Sequence, residues 1–507
     1  MSCDKKMSFE ECELAILRSA VDKIGKKTGR KKINNPEIKD IIQIVEDFLK
    51  KTKRICYGGT AINNILPLED QFYDKSTELP DYDFFSPDPL NDAKKLADIY
   101  YKLGYTEVEA KSGMHAGTFK VYVNFLPIAD ITYLVPELYK NIHKSSIKVN
   151  GIHYCPPNYL RMAMYLELSR PDGDVSRWEK VLKRLTLLNK HYPLKGKSCN
   201  LIDIQRLFQY GTKKQLMKGG KKKYRVPDNF VEEEKFLENI EEKIFVTVRD
   251  TLISNGCVFF GAYANRMYLK DLKRFRKREI PKVPDFDVLS EDPQTTSRMI
   301  KERLEEIGIE KIKITKKPGV GEIIAPHYEI SIGPEIIVFI YEPLACHSYN
   351  VIHVGSYKMR VATLDTMLSF YLAFVYVNRP YYDPNRILCM SQFLFKVQEK
   401  NRLKQSGLLR RFSMSCYGKQ ETMEEMREEK SKKYKEFKNK KKTKEYEWYF
   451  LRYLPIEHDK KNKKNVKKTK RKTKRKTKRK TKRKNKGILS RLGFGGRKTR
   501  KRRKRRR

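Results

Sequence analysis

The chain of 507 residues contains the same two-part pattern twice. YGGTAINNIL begins at Tyr57 and FGAYANRMYL at Phe260, while LPDYDFFSPDP begins at Leu79 and VPDFDVLSEDP at Val283, so the offset changes only from 203 to 204 residues. In each copy an apolar strand leads through a glycine turn into a helix, and then come a second strand, a helix and a pair of strands. Such agreement in order and spacing indicates an internal duplication and two related α+β units in tandem.

Changes of pattern along the chain divide it into six predicted segments. A basic stretch, KKQLMKGGKKKYR at 213–225, separates the two copies, and the helical periodicity before and after each copy gives the remaining boundaries. The predicted segments are an N-terminal helical segment (1–53), the first α+β unit (54–145), a helical segment with the basic linker (146–225), the second α+β unit (226–355), a C-terminal helical region (356–458) and a Lys/Arg-rich tail (459–507).

The positive charge of the chain is concentrated at its C-terminal end. Of 110 Lys and Arg residues, 30 lie in 460–507 together with no acidic residue, so the rest carries 80 basic against 62 acidic groups. A segment of TKRK-like repeats cannot bury a core, and we predict that it is disordered. The net charge of +48 indicates a polyanionic partner. An RNA grip, a nuclear address and a packaging segment fit such a tail equally well.

Several classes of protein are disfavoured by residues that the sequence lacks. The nine cysteines are scattered and include no C-x-x-C pair, so we expect a reducing compartment, no zinc finger and no disulfide framework. The longest apolar run, 367–377, is far short of the roughly 18 residues that a membrane helix requires, and we expect no membrane partner. No G-x-x-x-x-G-K-[ST] motif is present, which argues against a P-loop motor.

Two aspartates of the first copy form a candidate metal site. Asp81 and Asp83 are two residues apart in a predicted strand, and strand periodicity places both carboxylates on one face. A D-x-D pair alone is more often a solvated turn. Within the aromatic-rich DYDFF, however, the two negative charges need compensation, and hard oxygen ligands favour Mg²⁺ or Mn²⁺. Asp130, on a later apolar strand, is the candidate third carboxylate.

The glycine turn before this strand is a candidate phosphate cradle. Gly58, Gly59 and Thr60 offer exposed backbone N–H groups and one hydroxyl at the start of a helix. An ordinary strand-to-helix turn would look the same in isolation. Its position 24 residues before Asp83 favours a site that binds both phosphate and metal.

These motifs together resemble a known enzyme family. GGTAIN, PDYDFFSPDP and ADITYL are similar to the signature of the DNA polymerase β-like nucleotidyltransferase superfamily. With the following ELSRPDGDVSRWEKVLKRL, they more narrowly resemble the poly(A) polymerase catalytic subunit of poxviruses and other large DNA viruses, over about residues 55–190. Cellular members carry Gly-Ser where this chain has Gly59-Thr60. The resemblance implies an α+β fold with two tandem nucleotidyltransferase-like mixed sheets, helical domains and the basic tail.

The resemblance also implies an activity and roles for individual residues. It implies template-independent addition of AMP from ATP to the 3′ end of mRNA with release of pyrophosphate, at two Mg²⁺ or Mn²⁺ ions. Asp81 and Asp83 would hold both ions, Asp130 would complete the ion that activates the 3′-hydroxyl, and the glycine turn would hold the triphosphate. Four basic residues that follow are candidates for contact with the triphosphate or RNA, although a solvated helix face explains them equally well: Arg177, Lys180, Lys183 and Arg184.

Partners and location follow from the same resemblance. RNA 3′ ends and ATP are the expected ligands, and the sequence leaves open whether processivity comes from a homodimer, a viral processivity subunit or the basic tail. Relatives from cytoplasmic large DNA viruses imply the virion and the host cytoplasm, while the tail leaves nuclear targeting open.

The second copy departs from the motif. Ala262 and Tyr263 replace Gly59 and Thr60, adding bulk where phosphate would approach. Asp285 and Asp287 are retained, but the position matching Asp130 falls near Phe339, in a strand without aspartate. We therefore expect the second unit to be a degenerate, non-catalytic scaffold.

Two other functions remain open at this point. A uridylyl- or CCA-adding transferase would have the same carboxylates, since base choice depends on side chains that the motifs do not identify. A non-catalytic RNA- or DNA-packaging protein would explain the basic tail, but it would give no reason for the three aspartates of the first copy to be complete.

Overall fold

The computed structural model describes residues 3, 6–74, 76–197, 199, 207–208, 240–269, 283–354 and 357–459. The basic linker predicted at 213–225 lies outside these ranges, and so does the tail predicted from residue 459, apart from Asp459 itself. The boundaries of the six predicted segments stay predictions.

Two helices precede the first sheet. They are α1 (Phe9–Ile33) and α2 (Pro36–Thr52). Helix α2 begins where the sequence indicates, because the Asn35 side chain accepts a hydrogen bond from Glu37 N and proline is tolerated at the first helical position. Its apolar residues at helical spacing form the face that packs on the sheet, and the buried ones are Ile38, Ile41, Val45, Phe48 and Leu49.

The first unit is built on a mixed eight-stranded sheet. Its strands are β1 (Ile55–Cys56), β2 (Tyr82–Ser86), β3 (Val108–Ser112), β4 (Thr118–Val123), β5 (Leu126–Tyr133), β6 (Ile147–Val149), β7 (Ile152–Tyr154) and β18 (Arg452–Tyr453). Their spatial order is β18-β3-β4-β5-β2-β1-β7-β6. Helix α3 (Gly58–Ile65) follows β1 directly, and α4 (Pro89–Lys102) packs across β3, β4 and β5. Strands β1 and β2 are antiparallel, so residues after β1 and at the start of β2 meet near one end of the sheet, and β5 pairs in parallel with β2.

The second unit repeats this topology. Its strands are β9 (Val258–Phe260), β11 (Phe286–Leu289), β12 (Ile312–Lys317), β13 (His327–Ile332), β14 (Glu335–Tyr341), β15 (His347–Val354), β16 (Tyr357–Ala362) and β17 (Cys416–Tyr417), while β8 (Leu207–Phe208) and β10 (Val283–Pro284) form a separate pair. The order is β12-β13-β14-β11-β9-β16-β15-β17. Seven strands match the first sheet position by position, and the parallel and antiparallel pairings match as well. The predicted α+β fold with two tandem related sheets is confirmed.

Helices connect the two sheets. Four described helices lie between β5 and β9 in the chain: α5 (Pro136–Lys144), α6 (Pro157–Leu168), α7 (Trp178–His191) and α8 (Ile240–Ser254). The remaining helices of the second unit are α9 (Gly261–Leu269), α10 (Pro293–Glu306), α11 (Leu364–Phe374) and α12 (Pro384–Lys400). Helices α6 and α11 pack along each other, and Ser348 N donates to Ser169 O at 2.8 Å. One continuous apolar core therefore runs through both units.

The end of the described chain returns to the first sheet. Helices α13 (Met423–Phe437) and α14 (Lys444–Phe450) lead to β18, which pairs antiparallel with β3. Trp448 packs edge-to-face against Phe119 of β4. The C-terminal helical region thus contributes a strand to the unit that carries the three candidate aspartates. Among the described helices, none is both long and apolar enough to cross a bilayer.

The expectation of no disulfides is wrong. The fold pairs six cysteines, as Cys3–Cys12, Cys199–Cys389 and Cys346–Cys416. The last two pairs are separated by 190 and 70 residues, so the tertiary fold brings them together and no spacing in the sequence reveals them. Cys56, Cys155 and Cys257 are buried as thiols.

A buried histidine between the units predicts sensitivity to acid. His347 is 2% exposed, and burial followed by the charge of Arg170 lowers its pKa to about 3. The unfolded chain binds a proton near pH 6.5 and the folded chain does not, so stability is retained above about pH 6.5 and falls toward pH 3. We expect a slope of up to about 1.4 kcal/mol per pH unit from this residue. Urea unfolding of wild type and His347→Gln at pH 7.5, 5.5 and 4.5 measures it.

The control for this prediction is His115→Gln, because His115 is exposed. The His347→Gln variant should lose less stability on acidification than wild type or the control. An equal loss in all three proteins would contradict the assignment.

Candidate active site

The fold brings the three predicted carboxylates together. In the parallel pair β2–β5, Asp83 lies directly opposite Asp130. Asp81 stands one residue before β2 and therefore on the same face as Asp83. Two neighbouring strands thus present three acidic side chains close together. Strand alternation predicted the shared face of Asp81 and Asp83, and the pairing of β2 with β5 adds Asp130, the candidate third carboxylate.

Burial and mutual repulsion make this cluster electrostatically unfavourable without a cation. Burial, followed by the charges of Asp81 and Asp130, raises the pKa of Asp83 to about 7. Burial and then Asp130 also raise the pKa of Asp81. A carboxyl that keeps its proton near neutral pH lies where negative charge is under-compensated. Bound divalent cations would supply that compensation, and the all-oxygen donor set suits Mg²⁺ or Mn²⁺.

A lysine that no sequence motif indicated also lies in the cluster. Lys120 on β4 forms an ion pair with Asp130. Burial disfavours the charged ammonium, but the hydrogen bond and charge of Asp130 outweigh this and raise the pKa of Lys120. Lys120 is the residue opposite Asp130 in the antiparallel pair β4–β5. The sequence could have indicated this ion pair only through the register of the β4–β5 hairpin.

The glycine turn is fitted against the aspartates. Gly58 has φ +72°, and a Cβ there would lie 2.8 Å from Asp83 Oδ2. Tyr57 N donates to Asp83 O at 2.9 Å, and the Thr60 hydroxyl donates to Asp81 O at 2.6 Å. The turn and the D-x-D strand are therefore held as one unit. Because Thr60 gives its proton to the backbone, its predicted contact with nucleotide stays a prediction.

Arg184 lies over the turn. A Cβ on Gly59 would come 2.3 Å from Tyr73 Oη and 3.0 Å from Arg184 Nη1. Arg184 Nη2 donates to Tyr73 Oη at 2.7 Å, and the guanidinium stacks 4.8 Å from the centre of the Phe72 ring. This places a rigidly held cation beside the bare backbone of Gly59, where an anionic group can approach. No feature of the sequence indicated Tyr73, since the loop that carries it has no motif.

Of the four basic candidates named from the sequence, Arg177 and Lys180 lie differently from Arg184. Arg177 Nε is 3.1 Å from Glu167 Oε1, and its charge helps to lower the pKa of Asp83 against the larger opposing effects. Lys180 is exposed, and within the described part of the chain no contact connects it to the carboxylates. Arg184 thus approaches the turn more closely than either residue is shown to do. The roles predicted for Arg177 and Lys180 stay predictions.

The second unit has the same framework with different side chains. Asp287 on β11 lies opposite Phe339 on β14, so the third carboxylate is replaced by an aromatic ring. Ala262 and Tyr263 are buried at 1% and 7% exposure, which fills the space beside the turn. A Cβ on Gly261 would lie 2.0 Å from Asp287 Oδ2, so the fit between turn and strand is retained. The second unit thus keeps the fold and has no third carboxylate at the matching position.

Residues 43–174 match the family described as poly(A) polymerase catalytic subunit. A protein of African swine fever virus (strain Badajoz 1971 Vero-adapted), named as a candidate poly(A) polymerase catalytic subunit, is 33% identical over 171 residues, which cover 32% of this chain and 36% of the relative. A similarly named protein of Acanthamoeba polyphaga mimivirus is 33% identical over 162 residues, 31% of this chain and 27% of the relative. The chain therefore spans about a third of the length of these curated relatives. The resemblance predicted from the sequence is confirmed over this region.

The solved Megavirus polyadenylate synthase has a similar fold along almost the whole chain. The TM-score is 0.68 with 21% sequence identity, and the match covers 92% of this chain and 91% of the other. The arrangement of both units is therefore shared with a solved structure.

Proposed function

We propose, from the family match of residues 43–174 and the carboxylate cluster within it, that the chain is a template-independent poly(A) polymerase. In this proposal it adds AMP from ATP to the 3′ end of mRNA. The 3′-oxygen of the RNA forms a bond to the α-phosphorus of ATP, the bond from that phosphorus to the oxygen of the β-phosphate breaks, and pyrophosphate leaves. The observation that carries the proposal is the meeting of Asp81, Asp83 and Asp130 beside the glycine turn.

The residues around the cluster have distinct roles in this proposal. Asp81 and Asp83 would hold two divalent cations, and Asp130 would complete one of them. Bound Mg²⁺ or Mn²⁺ would supply positive charge to the attacking and leaving oxygens of the displacement. Lys120 neutralises Asp130 while cations are absent and must give up that ion pair, or share it, when they bind. The backbone of Gly59 and the guanidinium of Arg184 would orient the triphosphate.

The direct test of the proposed function is primer extension. Purified full-length protein is incubated with a labelled RNA primer, Mg²⁺ or Mn²⁺, and each of the four NTPs separately. A ladder with ATP alone supports the proposal. A preference for UTP, or addition limited to CCA, would keep the site and replace the reaction with that of another terminal transferase. If RNA binds but no primer grows with any nucleotide, the non-catalytic packaging function replaces it.

Partners and location form part of the same proposal. We expect ATP and an RNA 3′ end as ligands, with processivity supplied by a homodimer, a viral processivity subunit or the basic tail. We expect the protein in the virion and the host cytoplasm. Salt dependence of product length, compared between the full chain and a chain ending at Asp459, would separate the tail from the other two sources of processivity.

Arg184 gives a prediction about ATP binding. Removing the guanidinium with Arg184→Ala should raise the KM for ATP about tenfold or more, because a charge-assisted contact to phosphate is lost next to Gly59. Lys183→Ala is the matched control, since Lys183 is exposed and pairs with Glu179 on the same helix. Steady-state kinetics with ATP varied at saturating RNA measure both. A normal KM for ATP in Arg184→Ala would exclude this contact.

A further inference from the structure

Residues 410–415, here called the pinned segment, are held tightly to the second unit. They follow helix α12 and a short turn at Gly407–Leu409. Asn350 Nδ2 donates to Arg410 O at 2.7 Å, the Ser413 hydroxyl donates to Tyr349 O at 2.7 Å, and Tyr349 N donates to Ser415 O at 3.1 Å. The segment is thus held at residues 410 and 415 through the backbone and at residue 413 through the side chain.

An ion pair adds a side-chain anchor. Arg411 Nη2 lies 2.6 Å from Asp365 Oδ1, and Arg411 Nε lies 3.1 Å from Asp365 Oδ2. Asp365 is fully buried near the start of helix α11, so this two-point contact orients the guanidinium and the backbone that carries it. The segment therefore has a defined inner side.

The outer side of the pinned segment presents three side chains to solvent. Arg411 and Ser413 face inward, whereas Arg410, Phe412 and Met414 are exposed. Phe412 is 40% exposed and Met414 is 91% exposed. A fixed backbone that holds an aromatic ring and a thioether in water, beside a guanidinium, is a pattern typical of a binding surface.

This surface borders the turn that precedes α7. The Phe412 ring packs 5.5 Å from the Trp178 ring, measured between centroids. Trp178 directly follows Arg177, whose charge acts on Asp83. At the other end of the segment, Cys416 Sγ lies 3.2 Å from Asp172 Oδ2. The packing of Phe412 on the first residue of α7, and the contact of Cys416, one residue beyond the segment, with Asp172, place the pinned segment beside the turn that carries Arg177.

The charge around the segment selects the kind of partner. Residues 401–420 contain five basic residues and no acidic residue. The five are Arg402, Lys404, Arg410, Arg411 and Lys419. Arg411 is paired with Asp365 and Lys419 with Glu425, whereas the Arg410 side chain is exposed beside Phe412. An exposed aromatic ring beside an exposed guanidinium suits a single-stranded nucleic acid, because a base packs on the ring and a phosphate pairs with the cation.

We propose that the pinned segment binds single-stranded RNA just upstream of the 3′ end, with a base packing on Phe412 and a backbone phosphate contacting Arg410. This inference rests on the proposed function, since an enzyme that extends RNA must hold the primer strand beside its carboxylates. It assigns the primer to a surface of the second unit. The scaffold unit would then supply RNA binding while the first unit supplies the reactive groups.

Binding of RNA without catalysis is the first test. Fluorescence anisotropy with a 5′-labelled single-stranded oligo(A) RNA, in the absence of ATP and divalent cations, gives the Kd of the full-length protein. Phe412→Ala should weaken binding about fivefold to a hundredfold, and Phe412→Trp should restore it. Arg410→Gln should weaken binding and reduce the slope of log K against log[salt] by about 0.7.

The matched control is Leu403→Ala, an exposed apolar residue outside the pinned segment at 90% exposure. It should leave the Kd unchanged. Thermal unfolding of each variant separates a local effect from misfolding, and Phe412→Trp provides a second, fold-preserving comparison. An unchanged RNA affinity in Phe412→Ala, or an equal loss in Leu403→Ala, would overturn the inference, and a protein partner would then be sought for the patch.

Kinetics separate this inference from the proposed function. In an active preparation, Phe412→Ala should raise the KM for RNA while the KM for ATP stays within about twofold. A rise in both would overturn the assignment to the primer. If wild type fails to add any nucleotide, the proposed function fails. Loss of RNA affinity in Phe412→Ala in the metal-free assay would then still identify the RNA-binding surface.

Discussion

Replacing Asp83 by asparagine should reduce the rate of AMP incorporation by at least about a thousandfold. The side chain lies opposite Asp130 and beside Asp81, and the amide cannot supply the anionic oxygens that hold divalent cations. The measurement is single-turnover extension of a labelled primer at saturating ATP and Mg²⁺ or Mn²⁺. Comparable activity in the variant would remove the proposed mechanism.

The loss should not come from unfolding. The pKa of Asp83 is raised to about 7 by burial and then by Asp81 and Asp130, so the ionised carboxylate destabilises the cation-free protein above that pH. Asp83→Asn should therefore unfold at the same or a higher temperature than wild type at pH 8 without cations. Asp287→Asn, the equivalent change in the second unit, should keep the extension rate of the folded protein.

The second large effect is expected from Gly58→Ala. A methyl group there would meet Asp83 Oδ2 at 2.8 Å, and the residue would be forced to keep φ +72°. We expect a loss of about 1–2 kcal/mol of unfolding free energy from the backbone. Displacement of the carboxylate should lower the extension rate by about a hundredfold. Urea unfolding and single-turnover extension measure the two effects separately.

Two other glycines provide the controls. Gly104 has φ +104°, and no atom lies within 4 Å of the position that an added methyl would take, so Gly104→Ala carries backbone strain alone and should keep the rate. Gly261→Ala places its methyl 2.0 Å from Asp287 Oδ2 in the second unit. It should destabilise the chain while the folded fraction extends primers normally. A hundredfold loss of rate in Gly104→Ala would show that strain, and not the position of Asp83, causes the effect.

Local pattern and duplication were sufficient to predict the carboxylate cluster. The period of two in DYDFF puts Asp81 and Asp83 on one face, and Asp130 lies on a later apolar strand, β5, which pairs in parallel with β2. The repeat predicted that the position equivalent to Asp130 falls near Phe339 in the second unit. The strand register agrees, because Asp287 lies opposite Phe339. These predictions were possible because they depend on the spacing of residues within one strand and on the offset between the two copies.

The features that the sequence did not reveal depend on long-range packing. Arg184 and Tyr73 meet across 111 residues, and no local pattern links a helix to an irregular loop. The Cys199–Cys389 pair closes 190 residues. The Lys120–Asp130 pair is the exception, because the two residues are only ten apart and face each other in one β-hairpin. Sequence patterns alone therefore define the acidic half of the site better than its basic half.

Strand β18 has a consequence for the way the chain is made. It completes the β3 edge of the first sheet with residues Arg452–Tyr453, although all the other strands of that sheet lie before residue 155. During translation, the β3 edge of the first sheet therefore stays unpaired until the second unit and β18 have been synthesised. Open edges recruit other strands, so a nascent chain stalled before residue 450 should be prone to aggregation and dependent on chaperones. For expression, the two sheets should be treated as one folding unit and not as separable domains.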